Sequence, residues 1–289
     1  MNTGTRCCAA VAMMLSVAMC AQAADAQQRD AEPAQRELLQ PPPEIAYSPI
    51  EDRFAMRASY FQPDMTTQLR YDVSPTQQGT PISAEDTLGM DDRLNQAVLE
   101  MMVRLRPRHR LRADYMKFSR DGSAPLGDII DFGNDTFLAD ELVESSIDMR
   151  LLGLTYTWSL LRLPRAELGL GLGVHLVEAK GTAEVPARSE GEAFSVTGPL
   201  PTFALDGTVM LTKRFSLNAR VQYLAPTIGE VSGSFTHYHA DVQFRAWPNL
   251  SFGLGYTGYT ARVDSTDSAF TGRFVMKARG PELFARVSF

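Results

Sequence analysis

Residues 281–289, Pro-Glu-Leu-Phe-Ala-Arg-Val-Ser-Phe (PELFARVSF), repeat with period two. Leu283, Ala285, Val287 and Phe289 fall on one face; Glu282, Phe284, Arg286 and Ser288 fall on the other. This is the spacing of a β-strand whose two sides meet different surroundings. The pattern is cleaner at residues 166–176, where Ala166, Leu168, Leu170, Leu172, Val174 and Leu176 oppose Glu167, Gly169, Gly171, Gly173 and His175. At about 3.3 Å per residue, a strand of that length crosses a bilayer at a tilt. Strands of soluble proteins typically run to only about half of it.

The alternation begins at Arg53. Phe54, Met56, Ala58 and Tyr60 oppose Arg57 and Ser59. Ala97, Leu99, Met101, Val103 and Leu105 oppose Glu100 and Arg104. Leu111, Ala113 and Tyr115 oppose Arg112 and Asp114. A fourth strand covers about residues 144–160. There the phase slips, because Asp148 and Arg150 share parity with Leu152, Leu154, Tyr156 and Trp158. A bulge near Gly153 would restore it. Further strands run through Phe203–Leu211, Phe215–Tyr223, Tyr238–Ala246 and Leu250–Tyr256, with Asp206, Arg220, His239, Asp241 and Arg245 on their polar sides. The tenth covers about residues 272–289. Phe274, Met276 and Ala278 have the opposite parity to Leu283, so a second bulge is expected at Gly280-Pro281.

Short turns at 107–109, 162–165, 212–214 and 247–249 alternate with longer connections at about 62–93, 120–143, 178–201, 225–231 and 263–271. The reading is an all-β fold: a transmembrane antiparallel up-and-down β-barrel of about ten strands, with eight as the alternative. One face is apolar in mid-strand, so the barrel is inside-out: lipid outside, a polar lumen within. Trp158, Phe215, Trp247, Phe252 and Phe289 lie near the short turns, as an aromatic girdle would.

Ahead of the strands, residues 1–23 read as a signal peptide. Arg6 gives the basic start, Cys7–Met19 is apolar and too short to span, and Ala21-Gln22-Ala23 is a cleavage site. Acylation of Cys20 is the rival reading, with Met19 a poor preceding residue. Residues 24–52, with Gln27, Gln28 and Pro41-Pro42-Pro43, read as a disordered Pro/Gln-rich periplasmic tail, and a lumenal plug is the alternative. Residues 53–289 are the barrel. All three cysteines lie within residues 1–23, so the mature chain is expected to have no disulfide, thiol nucleophile or thiolate metal site. The net charge of −6 argues against nucleic acid as a partner.

The lumen-lining candidates are Arg57, Glu100, Arg104, Arg112, Asp114, Glu167, His175, Arg220, His239, Asp241 and Arg245. Asp206 and Arg286, and with the two expected bulges Arg150 and Lys277, are further inward ions. Buried charges must pair, so a salt-bridged structural lumen is one reading, and a narrow selective pore is the other. The inward glycines are expected to leave room for long lumenal side chains. His237 and His239 with Asp241 resemble a two-histidine-plus-carboxylate metal set, and also a plain run of lumenal polar residues. His239 or Asp241 with Ser251 would be the hydrolase reading, though no nucleophile elbow is present. Glu85, Asp86, Asp91 and Asp92 in the first long loop could hold a divalent cation, sit among lipopolysaccharide headgroups or be solvated. No catalytic residue, cofactor or metal is expected.

The segments GTPISAEDTLGMDDRLN (79–95), RPRHRLRADY (106–115), ELGLGLGVHL (167–176), YHADVQFR (238–245) and the closing GPELFARVSF resemble a group of proteobacterial outer-membrane β-barrel proteins without assigned activity. More broadly, residues 53–289 are similar to small OmpA-like or OmpW-like barrels, without OmpA's C-terminal peptidoglycan-binding domain. Phe289 resembles the terminal aromatic read by the barrel-assembly machinery. The resemblance implies residence in the bacterial outer membrane, periplasmic termini, and contact with outer-membrane lipid and lipopolysaccharide. It implies no catalytic residues. The expected role is structural, surface-interacting or limited passage. The alternatives are a porin-like channel for small solutes and an outer-membrane enzyme acting on lipid A or peptides.

Overall fold

The structure is a computed structural model that describes residues 48–72, 78–132, 135–187, 190–225, 227–228, 231–267 and 270–289. The expected signal peptide and the expected tail, up to residue 47, lie outside the described residues. The first strand, β1, has two segments, Phe54–Phe61 and Asp64–Tyr71. It is followed by β2 (Gln96–Arg106), β3 (His109–Pro125), β4 (Leu142–Arg162), β5 (Ala166–Val185), β6 (Glu190–Met210), β7 (Phe215–Leu224), β8 (Val231–Trp247), β9 (Leu250–Asp267) and β10 (Phe270–Ser288). Each strand pairs antiparallel with its neighbour in sequence. β1 and β10 pair along both segments of β1, which closes a ten-stranded barrel. Closure leaves every mid-wall backbone N–H and C=O a ladder partner, the condition for crossing lipid with strands.

Neither expected bulge exists. β4 pairs with β3 and β5 without a shift at Gly153, and its register changes only at Ser159/Leu161, beside the short turn. β10 is regular through Gly280-Pro281. The irregularity lies opposite, at Gln62-Pro63, where β1 is interrupted while keeping phase. The Gln62 carbonyl comes so close to Gly280 that a Cβ there would stand 1.9 Å from it. Arg150 and Lys277 therefore point outward, not into the lumen, and Phe274, Met276 and Ala278 point inward.

The apparent phase slips have a different cause: the surroundings change along the strand while the face stays the same. On β5, outward residues run from Leu168 to Leu176 and then become Glu178 and Lys180. Inward residues change from glycines and His175 to Val177 and Ala179. β4 and β10 reverse in the same way. The half nearest the short turns is thus apolar outside and polar inside. The far half is polar outside and apolar inside, as in a water-soluble barrel. Tyr60, Tyr115 and Tyr256 are exposed at the transition, before outward Gln62, Lys117 and Gly258. With the five aromatics at the turn end, all exposed, they bracket a lipid-facing belt. The strands continue beyond it: β4 has 21 residues and β5 has 20. Much of what the sequence suggested were loops at 120–143 and 178–201 is therefore barrel wall above the membrane.

Candidate functional site: the lumen and its two closures

In the lipid-belt half, glycines on one strand face make room for charged side chains on the next. A Cβ on Gly153 would meet the Asp114 carboxylate at 2.5 Å, and one on Gly169 would meet Asp206 at 2.4 Å. All eleven lumen-lining candidates are on the inward face. Five of them, Glu100, Arg104, Arg112, Glu167 and Arg220, join one ionic chain. Arg104 donates from both terminal nitrogens to Glu167, each bond 2.9 Å, and the Ser159 hydroxyl also donates to Glu167. Arg110 links Glu167 (3.5 Å) to Asp206 (2.9 Å). Arg112 links Asp206 (3.6 Å) to Glu100 (3.1 Å), and Arg220 donates to Glu100 at 2.9 Å.

A second cluster centres on Arg57. Its guanidinium donates to Asp241 and Glu282, both at 2.9 Å, and lies 3.5 Å from the centre of the Phe284 ring. His239 touches the same carboxylates, with Nε2 2.6 Å from Asp241 and Nδ1 3.3 Å from Glu282, and Thr257 bonds to both His239 and Glu282. Asp114 and His175 stand apart from these chains, 3.8 Å from each other. A small polar cavity of about 60 Å³ separates the ionic chain from the Arg57 cluster.

Two closures shut the lumen. At the short-turn end, residues 48–52 turn into the mouth rather than trailing from it, so the boundary of the barrel falls before Arg53. Ile50 is buried, and Asp52 receives Arg245 at 2.8 Å and Arg286 at 3.0 Å. At the far end, Phe61, Met65, Met116, Phe118, Met149, Leu151, Phe235, Tyr259 and Met276 fill the bore. Above them the first long connection folds back. Ile82-Ser83 pairs with β1, while Ala84, Leu88 and Met90 pack with Leu126, Val143, Ile147 and Val185. Glu85 fastens this lid: it accepts from Arg120 (2.7 Å) and from the Thr67 amide (2.8 Å). Burial alone would raise the Glu85 carboxyl, but the Thr67 amide and Arg120 outweigh it and hold the group below its ordinary value. Glu85 is thus spent on structure rather than free to join a cation site with Asp86, Asp91 and Asp92.

A water-filled channel leaves its lining wet. Here Glu167 is 3% exposed, His175 0% and Asp241 4%. The candidates read from the sequence left out Arg110, which lies between the turn at 107–109 and the strand from Leu111, and Asp52, placed in the tail; both are members of the network. Arg110 shares the even parity of Arg112 and Asp114, and that signal could have found it. Asp52 precedes the alternation, and nothing in the sequence marks it.

His237 stacks on Tyr259 and bonds to Gln222 (2.8 Å) rather than facing Asp241. No group of His, Asp and Glu with metal-binding geometry occurs among the described residues. Ser251 is buried, and its hydroxyl has no hydrogen-bond partner among the described residues.

No family model matches the chain, and no curated protein matches it in sequence. Solved structures do match in fold. The outer membrane protease OmpT from Escherichia coli is similar with a TM-score of 0.52 at 11% identity, over 81% of this chain and 97% of that one. Ail, the attachment invasion locus protein of Yersinia pestis, matches at 0.35 and 9% identity, over 80% and 99%. Neisserial surface protein A matches at 0.31 and 9%, over 82% and 97%. The chain has the fold of an outer-membrane β-barrel. The likeness to OmpT shows that fold alone.

Proposed function

We propose that this chain is a non-conducting, non-catalytic barrel of the bacterial outer membrane, whose work is done by its outside: membrane integrity and surface interaction. One observation carries the reading. The lumen is filled by paired ions in its lower half and by apolar side chains in its upper half, and it is closed at both ends. That favours the structural and surface roles over limited passage or a porin-like channel. An outer-membrane enzyme needs its base and nucleophile where substrate can reach them. The chain has four histidines. His175, His237 and His239 are enclosed, and His109 bonds to Tyr156 at the short-turn end, an arrangement that supports the non-catalytic reading. Kinship with OmpA-like or OmpW-like barrels, periplasmic termini, contact with lipopolysaccharide and assembly through Phe289 belong to the same proposal. Liposome swelling with the refolded, heat-modifiable protein tests it. The reading expects swelling in small sugars no faster than in protein-free liposomes, and size-dependent swelling would overturn it. Hydrolysis of lipid A or of a peptide library, lost with His239→Ala, would overturn the non-catalytic part.

A further inference from the structure

The rim at the short turns is mostly cationic, with Glu51 its exposed acid among the described residues. Arg53, Arg106, Arg108, Arg165 and Arg214 are all exposed, and none has an ion pair among the described residues. Of the rim arginines, Arg162 alone is paired, with Glu51 at 2.9 Å. The chain as a whole carries −6, so this rim opposes the overall balance. The collar above the tyrosines differs: there Lys117 pairs with Asp148, Arg150 and Lys180 with Glu178, and Arg262 and Arg273 with Asp264.

The rim arginines are also set among large exposed apolar side chains. Arg106 follows Leu105, Arg165 lies two residues past Leu163, and Arg214 stands between Leu211 and Phe215. Trp247 and Phe289 are exposed at the same end. An arginine beside a lipid-dipping leucine or aromatic places its guanidinium at headgroup depth, not out in the aqueous space. A guanidinium fork fits a phosphate oxygen pair.

We infer that this arginine rim binds the phosphates of anionic glycerophospholipids. On the reading above that both termini are periplasmic, the short turns, which lie at the same end as Arg53 and Phe289, face that side, and these are lipids of the inner leaflet. The apolar flanks favour a lipid over a soluble polyanion, because they would be wasted on a partner approaching from water. Three of the four turns and the segment just ahead of β1 carry these arginines, so several headgroups bind around the rim rather than in one pocket.

The test is native mass spectrometry of the full chain released from micelles containing phosphatidylglycerol, cardiolipin or phosphatidylcholine. The wild type is expected to retain phosphatidylglycerol and cardiolipin over phosphatidylcholine. The variant R106Q/R108Q/R165Q/R214Q is expected to lose that retention by at least roughly tenfold, given the usual gain per cation at an anionic surface. All four side chains are exposed, and heat-modifiable migration checks that the variant folds. K117Q/R150Q/K180Q/R262Q, four exposed charges changed in the paired collar, is the matched control and is expected to retain lipid as the wild type does. Equal retention by the four-arginine variant, equal retention of phosphatidylcholine, loss in the collar control, or stronger retention of a soluble anionic glycan than of phosphatidylglycerol would each overturn the inference. None of these outcomes depends on whether the lumen conducts.

Discussion

Replacing Arg57 with alanine removes the hub of the second lumenal cluster. Its two carboxylate partners, Asp241 and Glu282, are 4% and 6% exposed, and each loses a 2.9 Å charged hydrogen bond. Breaking a buried ion pair by deleting one partner costs about 3–5 kcal/mol. The lost contact over the Phe284 ring adds about 1–2 kcal/mol in a desolvated site. Arg57→Ala should therefore lower unfolding stability by about 4–7 kcal/mol. Arg57→Lys keeps the charge but cannot reach both carboxylates with a planar fork, and should cost about 1.5–3 kcal/mol. Adding Asp241→Asn to Arg57→Ala should recover about 1–3 kcal/mol, because one stranded charge is removed. The assay is equilibrium urea unfolding in phospholipid vesicles, followed by the fluorescence of Trp158 and Trp247, in conditions where unfolding and refolding curves superimpose. A loss below about 1 kcal/mol for Arg57→Ala, with no coupling to Asp241, would refute the reasoning: it would mean that water solvates these groups.

Leu172 is 61% exposed, yet Leu172→Arg should destabilise the barrel by about 2–4 kcal/mol in vesicles, because its exposure is to lipid; a neutral effect in the same unfolding assay would place that face in water. Phe118→Ala, in the upper bore, should cost about 3–5 kcal/mol by opening a cavity, read by the same assay. Gly253→Ala brings a methyl to 2.3 Å from the Phe284 ring and should cost about 1–3 kcal/mol by overpacking, with the ring displaced from Arg57. Glu85 has a depressed carboxyl, so its hold on the lid is complete above its unfolded pKa and is lost as pH falls through the lower folded value. Hydrogen exchange at residues 82–88 should therefore accelerate as the medium is acidified below the ordinary carboxylate range, and Glu85→Gln should abolish that pH response.

The closed barrel was legible because lipid imposes one rule on every strand it touches. From Leu168 to Leu176 each outward residue is apolar, and no soluble sheet of that length needs this. The ten-strand count, the outward aromatics at the turns and the inward placement of Arg57, Glu167 and His239 follow from parity alone. The upper barrel was not legible, for a physical reason: parity reports which face a residue is on, while polarity reports what lies beside it. Above the tyrosines water replaces lipid outside and apolar packing replaces ions inside, so Arg150 and Lys277 read as inward by polarity while the backbone keeps them outward. A bulge and a change of solvent leave the same trace in sequence. The lid was hidden because its contacts, such as Glu85 with Arg120 and the cluster that holds both Leu88 and Val143, join segments far apart in the chain. Asp52 was hidden because a single acidic residue ahead of the first strand carries no period.

The account rests on a lumen with no aqueous path, and single-channel recording in planar bilayers tests that most directly. The folded, heat-modifiable barrel should insert without conductance steps over a wide voltage range. Discrete, reproducible steps from the unaltered protein, sensitive to replacement of Arg104 or Glu167, would contradict the account and make the ionic lumen a conduction path.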